Sequence, residues 1–297
     1  MTPTTTVRIG TRESRLALAQ ARIAAAVLAT STPPAELVPI STLGDAISAR
    51  TPSAGWVVAD GQFTRAIERA LLDGRIDLAV HSYKDLPTAS VDGLVIGAVL
   101  ERADARDCLV AADGGGIDDL PVGGRVGTSS PRRAAQLAAR RADLVAVPIR
   151  GNVETRLARL ADGDLDGVIL AAAGLDRLGV AVADHQRLPF ELMLPAPAQG
   201  ALAIQVRAGD GPLLEALRAV DHRPTRVAVE AERTLLRRIG GGCLAPLGAL
   251  GEVVAGQLRL RAAYGDASGS IRRAEASGPA DDPDAVVDVV AERIARG

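Results

Sequence analysis

The sequence predicts an α/β protein of two related lobes, each a mainly parallel sheet with helices, followed by a small α+β C-terminal domain. Three observations predict it. Strand and helix signals alternate through the first hundred residues, as in βαβ units. Similar elements then recur in the same order after residue 120. From about Thr225 the alternation gives way to a charged helix, short strands with Gly/Asp/Ser turns and a closing helix. The 297 residues, 47% of them hydrophobic, suffice for two or three such units at roughly 150 residues each.

Val7-Arg8-Ile9-Gly10 is a short β-like run. Ser14 opens an amphipathic, Ala-rich helix from Leu16 to Leu28, and Leu37-Val38-Pro39-Ile40 reads as a second strand. Residues 44–62 combine many breakers with little periodicity and read as a long mobile loop. A helix over Phe63–Leu72 ends at Asp73-Gly74 and feeds the apolar strand Ile76–Val80. The recurrence is specific. Arg8-Ile9-Gly10-Thr11 returns as Arg125-Val126-Gly127-Thr128, each a strand running into a polar turn and an Ala-rich helix. Leu72–Asp77 returns as Ala161–Asp166, each a helix end feeding an apolar strand. Ligands of open α/β sheets bind beyond the carboxyl ends of the strands, so both polar turns are expected to face one interlobe cleft. Chance likeness between Gly-containing turns is the competing explanation. Further on, Val227–Ile239 is a charged helix ended by Gly240-Gly241-Gly242. Val253–Leu260, Arg261–Tyr264 and Ser270–Ala276 read as antiparallel strands, and Pro283–Arg296 as the last helix.

Composition excludes several functions. With 34 basic against 36 acidic residues the formal net charge is −2, so no global basic field draws nucleic acid or an anionic membrane. Aromatic residues make up 2% of the chain, too few to form base-stacking platforms. No apolar run approaches the ~18–20 residues of a membrane span, and the N-terminus shows no secretory signal pattern. Cys108 and Cys243 lie far apart, outside any Cys/His cluster, as free thiols of a cytosolic protein do; Cys108 sits in an apolar strand pattern and reads as core. Lys84 is the sole lysine among 33 arginines. A GC-rich genome accounts for that bias, but the one lysine falls inside the densest polar motif of the chain.

That motif, His81-Ser82-Tyr83-Lys84-Asp85-Leu86-Pro87, follows directly on an apolar strand, a rigid place from which to project an acid/base group, an ammonium and a hydroxyl. Val126–Arg133 joins a strand to the hydroxyls of Thr128, Ser129 and Ser130, to Pro131 at a first helical position, and to Arg132 and Arg133. Free N–H groups and guanidinium forks at such a helix start favour carboxylates. Ile149–Arg156 repeats the junction, with Arg150, Gly151, Asn152 and Arg156. Together with Arg12 and Arg177 these residues can form a basic cleft in an acidic protein, fit for a ligand with several carboxylates. In Gly240-Gly241-Gly242-Cys243 three glycines let the backbone bend beside one thiol, suited to attachment or nucleophilic chemistry. Each stretch also has a plainer reading: a strand cap, a capped helix with a solvated basic face, a small residue in a turn.

Taken together, Thr11–Ser14, Ala79–Pro87, Val126–Arg133, Arg150–Arg156, Ala173–Gly179, Pro197–Gly200 and Gly241-Gly242-Cys243 resemble the porphobilinogen deaminase family, in order and across almost the whole chain. The resemblance implies two periplasmic-binding-protein-like lobes, residues 1–98 with 199–217 and residues 99–198, and a small domain over 218–297. It implies a cytoplasmic, monomeric transferase (hydroxymethylbilane synthase) that joins four porphobilinogen molecules head to tail, releases ammonia and frees hydroxymethylbilane by hydrolysis. A covalent dipyrromethane cofactor is expected, held through a thioether to Cys243. Asp85 matches the catalytic carboxylate. Arg12, Ser14, Ser82, Lys84, Thr128, Ser129, Ser130, Arg132, Arg133, Arg150, Gly151, Asn152, Arg156, Arg177 and Gln199 match cofactor- or substrate-binding positions, and Phe63 matches a lid position. The sequence departs from the family pattern at Arg15, where a non-basic residue is common, and at Asp60-Gly61, where Gly-Lys-Gly is common. Two other readings compete: a non-catalytic bilobed module that binds a polycarboxylate, and a pyridoxal-phosphate enzyme using Lys84.

Overall fold

The computed structural model describes residues 6–42, 64–240, 242, 245–265 and 270–296. Its first sheet begins with β1 (Val7–Arg12), α1 (Arg15–Leu28), β2 (Ala35–Ile40), α2 (Arg65–Leu72) and β3 (Leu78–Ser82). A 3₁₀ turn at Tyr83–Asp85 leads on to β4 (Leu94–Val99). The sheet is completed from much later in the chain by β9 (Leu202–Arg207), giving the order β2-β1-β3-β9-β4. β1 runs parallel to β2 and β3, while β9 is antiparallel to both β3 and β4.

The second sheet comprises β5 (Asp107–Ala111), β6 (Arg125–Gly127), β7 (Val145–Val147) and β8 (Gly167–Ala171), in the order β5-β8-β6-β7. Helix α3 (Pro131–Arg140) joins β6 to β7, α4 (Val153–Ala161) joins β7 to β8, and α5 (Ala172–Arg177) follows β8. β6 is parallel to β7 and β8, and β5 is antiparallel to β8. The two sheets therefore share one plan, three parallel strands flanked by an antiparallel strand supplied after a crossing between them, and the first sheet adds β4 as a fifth strand beyond β9.

Chance likeness does not account for this correspondence, because the local ties repeat as well. Arg8 N donates to Asp77 Oδ2 at 2.8 Å and Asp77 N returns to Arg8 O at 2.9 Å. Arg125 N donates to Asp166 Oδ2 at 2.6 Å and Asp166 N returns to Arg125 O at 2.9 Å. Each strand carries its glycine where a side chain from the following strand lead-in presses on it. A Cβ at Gly10 would fall 2.2 Å from Ile76 Cδ1, and one at Gly127 would fall 2.9 Å from Leu165 Cδ1.

The two crossings run side by side. Ala103 N donates to Gly200 O at 3.3 Å, and Gly200 has φ +89° with its α-carbon against the opposite crossing. A Cβ there would stand 2.6 Å from Ala103 O, so both conformation and space require glycine. After α6 (Gly211–Arg218), which packs on β4, the chain enters α7 (Arg223–Arg238) and an antiparallel sheet of β10 (Leu247–Val254), β11 (Gln257–Gly265) and β12 (Ile271–Pro279), closed by α8 (Pro283–Arg296). Leu235, Leu258, Leu260, Val287 and Val290 fill the core between sheet and helices.

The sequence reading needs adjusting in four places. The expected strand Ile76–Val80 is displaced to Leu78–Ser82, which brings Ser82 into the sheet. The expected strand Val253–Leu260 is broken by a hairpin turn at Ala255 (φ 49°) and Gly256 (φ 76°). Two successive positive φ values suit a two-residue hairpin, and an alanine in the first position conceals the break. β11 consequently runs unbroken through Arg261 to Gly265. The helix expected from Val227 starts at Arg223, capped by His222 Nδ1, which accepts from Thr225 N at 3.3 Å. The segment expected as a mobile loop lies outside the described residues.

Candidate functional site

The polar residues marked by the sequence collect at the carboxyl ends of the parallel strands. β1 delivers Arg12 and, at the start of α1, Ser14; β3 delivers Ser82, Lys84 and Asp85; β6 delivers Thr128–Arg133; β7 delivers Arg150–Arg156; β8, through α5, delivers Arg177. Three of these residues are helix caps. Ser14 Oγ accepts from Ala17 N at 3.3 Å, Ser130 Oγ from Arg133 N at 3.4 Å and Asn152 Oδ1 from Thr155 N at 2.8 Å. Three helix N-termini, with their positive dipole ends, thus open onto the same region. Ser129 serves the framework as well: its hydroxyl donates to Ile149 O at 2.7 Å and accepts from Ile149 N at 2.9 Å, tying the β6 and β7 ends together. Thr128 is buried, and its Oγ1 accepts from Ser130 N at 3.2 Å. Gly151 has φ +104°, the left-handed conformation that turns the chain into α4.

At the centre lies a carboxylate the sequence reading did not single out. Asp107, the first residue of β5, is completely buried. Its Oδ2 accepts from Arg132 Nη1 at 2.7 Å, and its Oδ1 accepts from Arg133 Nη2 at 2.7 Å and Gln199 Nε2 at 2.9 Å. Burial by itself raises the Asp107 carboxyl, but Arg132 and Arg133 outweigh it and hold the group well below the usual carboxylate range. Arg132 also donates to Leu194 O at 2.7 Å, and Arg133 to Ile169 O at 2.8 Å. Arg132 Nε is buried with no hydrogen-bond partner.

Gln199 links this hub to the first lobe. Its Nε2 also donates to Ala105 O at 2.8 Å, while its Oε1 accepts from Lys84 Nζ at 3.2 Å. Burial, with Arg133 and Arg132 nearby, pushes the Lys84 ammonium down to about 8, against the opposing pull of Asp85 and Asp107. Asp85 is exposed, and its charge also acts on Arg156, which burial and the neighbouring Arg133 and Arg150 lower to about 10. Arg156 Nε donates to Gly151 O at 2.9 Å. Arg177 Nη2 donates to Gly200 O at 2.7 Å, and burial pushes its guanidinium down to about 10. Behind the turn, His81 Nε2 meets Gln205 Oε1 at 3.1 Å, and burial pushes the imidazole down to about 4, with Arg12 adding to the effect. Lys84 and Asp85 from one lobe therefore face Arg133, Arg156 and Asp107 from the other. At the rim, Arg15 Nη1 stands 3.4 Å from Glu154 Oε1, so the residue that departs from the family pattern pairs with the opposite lobe.

A second unforeseen carboxylate holds the crossings together. Glu232, on α7 and fully buried, accepts from Arg102 Nη1 at 2.6 Å, Ala198 N at 2.6 Å and Gly251 N at 2.6 Å. One side chain thus joins both interlobe crossings to the third sheet. Cys243 and Phe63, expected as attachment and lid residues, lie outside the described residues. Cys108 is buried and free, as its apolar strand pattern indicated. Among the described residues no helix is long and apolar enough to cross a membrane.

Comparison with known proteins gives a consistent picture. A family model described as porphobilinogen deaminase, dipyromethane cofactor binding domain, matches residues 7–215. A second, porphobilinogen deaminase, C-terminal domain, matches residues 227–296. A porphobilinogen deaminase of Desulforudis audaxviator is 48% identical over 291 residues, covering 97% of this chain and 94% of that protein. One of Thermobifida fusca is 50% identical, covering 95% and 89%, and one of Mycobacterium ulcerans is 52% identical, covering 84% and 78%.

Proposed function

The chain belongs to the porphobilinogen deaminase family, and on that footing we propose how its cleft performs the family's reaction. It is a transferase of tetrapyrrole biosynthesis, a hydroxymethylbilane synthase: four porphobilinogen molecules condense head to tail with loss of four ammonia, and water releases the linear product. Its cofactor is dipyrromethane. That group carries two acetates and two propionates, and the donor set suits it. Arg12, Arg132, Arg133, Arg150, Arg156, Arg177 and Lys84 all follow strand ends around one cleft, and the buried Arg132 Nε has no protein acceptor. Bound through a thioether to Cys243, dipyrromethane supplies the pyrrole α-carbon from which the chain extends.

The chain's own residues then divide the work. Arg12, Arg150, Arg156 and Arg177 neutralise carboxylates of cofactor and substrate, with forks suited to bidentate pairing. Arg132 and Arg133 share Asp107, which holds both guanidinium groups in place while donors remain for a ligand. Ser14, Ser82, Thr128, Ser130, Gly151 and Asn152 supply neutral donors and the helix ends, while the Ser129 hydroxyl, engaged with Ile149, holds the two strand ends that present them. Lys84, anchored by Gln199, places an ammonium beside Asp85. Asp85 accepts a hydrogen bond from the pyrrole N–H, stabilises the positive charge that develops as ammonia leaves, and assists removal of the proton lost from the attacking pyrrole α-carbon once the new carbon–carbon bond has formed. Holding both partners in one cleft turns each addition into a positioned reaction.

The 1–98/199–217, 99–198 and 218–297 division fits this scheme, since β9 completes the sheet of the first segment. A cytoplasmic location fits the unpaired Cys108 thiol. One observation carries the proposal: a solvent-facing Asp85 beside Lys84 and Arg156 at the junction of two sheets. Incubation with porphobilinogen tests it. The expected result is four ammonia released per hydroxymethylbilane formed. Saturable binding of porphobilinogen with no ammonia would overturn it in favour of a binding module.

A further inference from the structure

We propose that Arg233, on α7 of the third domain, is a positioning residue for the turn that presents Lys84 and Asp85. Arg233 is buried, and its guanidinium is aimed at main-chain oxygens of that turn. Nη1 donates to Tyr83 O at 3.1 Å and Leu86 O at 2.9 Å, and Nη2 donates to Pro87 O at 2.6 Å. The guanidinium carbon also lies 4.4 Å from the centre of the Tyr83 ring. One helical turn earlier, Glu230 accepts the Tyr83 hydroxyl.

The turn needs outside support. Tyr83–Asp85 is a single 3₁₀ turn, closed by a 3.3 Å bond from Leu86 N to Tyr83 O, and such turns hold poorly by themselves. Lys84 and Asp85 lie between the two carbonyls that share Nη1, so fixing residues 83 and 86 restrains the backbone that aims both side chains. A planar fork stacked on a ring can serve three carbonyls at once, whereas an ammonium lacks that geometry. In sequence the same helix precedes Gly240-Gly241-Gly242-Cys243. Arg233 therefore acts through the turn and not on substrate. This rests on the assignment of Asp85 as the reacting carboxylate.

The test compares Arg233→Ala, Arg233→Lys and Asp85→Asn as holoenzymes, by intact mass, melting temperature, kcat and KM. The expected result for Arg233→Ala is normal cofactor loading, KM within about twofold of the parent and kcat lower by about 100-fold, as for a reacting group displaced by ~1 Å. Arg233→Lys is expected to lose about 10-fold. Added guanidinium ion restores part of the kcat of Arg233→Ala and none of that of Asp85→Asn. The proposal is overturned if kcat per loaded enzyme stays within twofold of the parent, or if the loss is accounted for by loading or KM; where Arg233→Ala does not fold, Arg233→Lys decides. Full turnover in Asp85→Asn overturns the underlying assignment, whereas an inactive Asp85→Asn beside fully active Arg233 variants overturns the positioning role alone.

Discussion

Asp107→Asn is the substitution whose cost follows most directly from the structure. The side chain is completely buried and its two oxygens face two guanidinium groups and an amide donor. At ~4 Å and an effective dielectric constant of ~20, each carboxylate–guanidinium pair is worth about 4 kcal/mol before desolvation. Two pairs give about 8 kcal/mol, which desolvation of the carboxylate and repulsion between the arginines reduce by about half. The amide keeps one acceptor, turns an NH₂ toward existing donors and leaves both guanidinium groups buried without a counter-ion. The expected loss is about 3–5 kcal/mol of stability, read as a lower urea midpoint at unchanged slope. Arg133→Met in the Asp107→Asn background removes one unpaired charge and should recover at least about 1 kcal/mol. The pH dependence has a definite sign. Asp107 titrates below its unfolded value, so its contribution is fully present above about pH 4 and fades as pH falls through its own lower pKa. The gap between parent and variant should hold level from about pH 8 to 5 and close in stronger acid. A loss under about 1 kcal/mol, or a gap that widens in acid, would refute the reasoning.

Glu232→Gln should cost about 2–4 kcal/mol, since the buried carboxylate serves both crossings and the third sheet; a melting temperature within about 2 °C of the parent contradicts this. Lys84 sits at about 8, below its ordinary value, so its ammonium is lost across the mildly alkaline range. KM for porphobilinogen should therefore rise above pH about 8, and Lys84→Arg should shift that limb out of range; an unchanged profile removes Lys84 from carboxylate binding. Because the unfolded lysine holds its proton more tightly, Lys84 also makes stability rise with pH between about 8 and 10.5. Asp85→Asn should keep the cofactor and lose nearly all turnover, as single-turnover kinetics on the mass-verified variant will report.

Much of the fold and of the cleft was legible because the relevant signals are local. A strand, a glycine and a hydroxyl-rich turn ahead of an Ala-rich helix identify β1 and β6 from a few consecutive residues, and their shared Asp77 and Asp166 ties bear out the pairing. Lys84, Asp85 and the arginines stood out because strand ends carry them. Asp107, Glu232 and Arg233 left no comparable trace. Asp107 receives Arg132 from 25 residues away and Gln199 from 92, so its partners are set by tertiary folding. Glu232 and Arg233 occur in a helix whose sequence signals only charge, yet both side chains are buried, against the crossings and the Tyr83–Pro87 turn. The Ala255-Gly256 hairpin was hidden for a local reason, since alanine carries no turn signal.

The most direct test of the central claim is the intact mass of the purified protein under denaturing conditions. The account predicts an excess equal to two porphobilinogen units less two ammonia, absent in Cys243→Ala. An unmodified mass that stays unmodified after incubation with porphobilinogen, or an equal excess in Cys243→Ala, would contradict it.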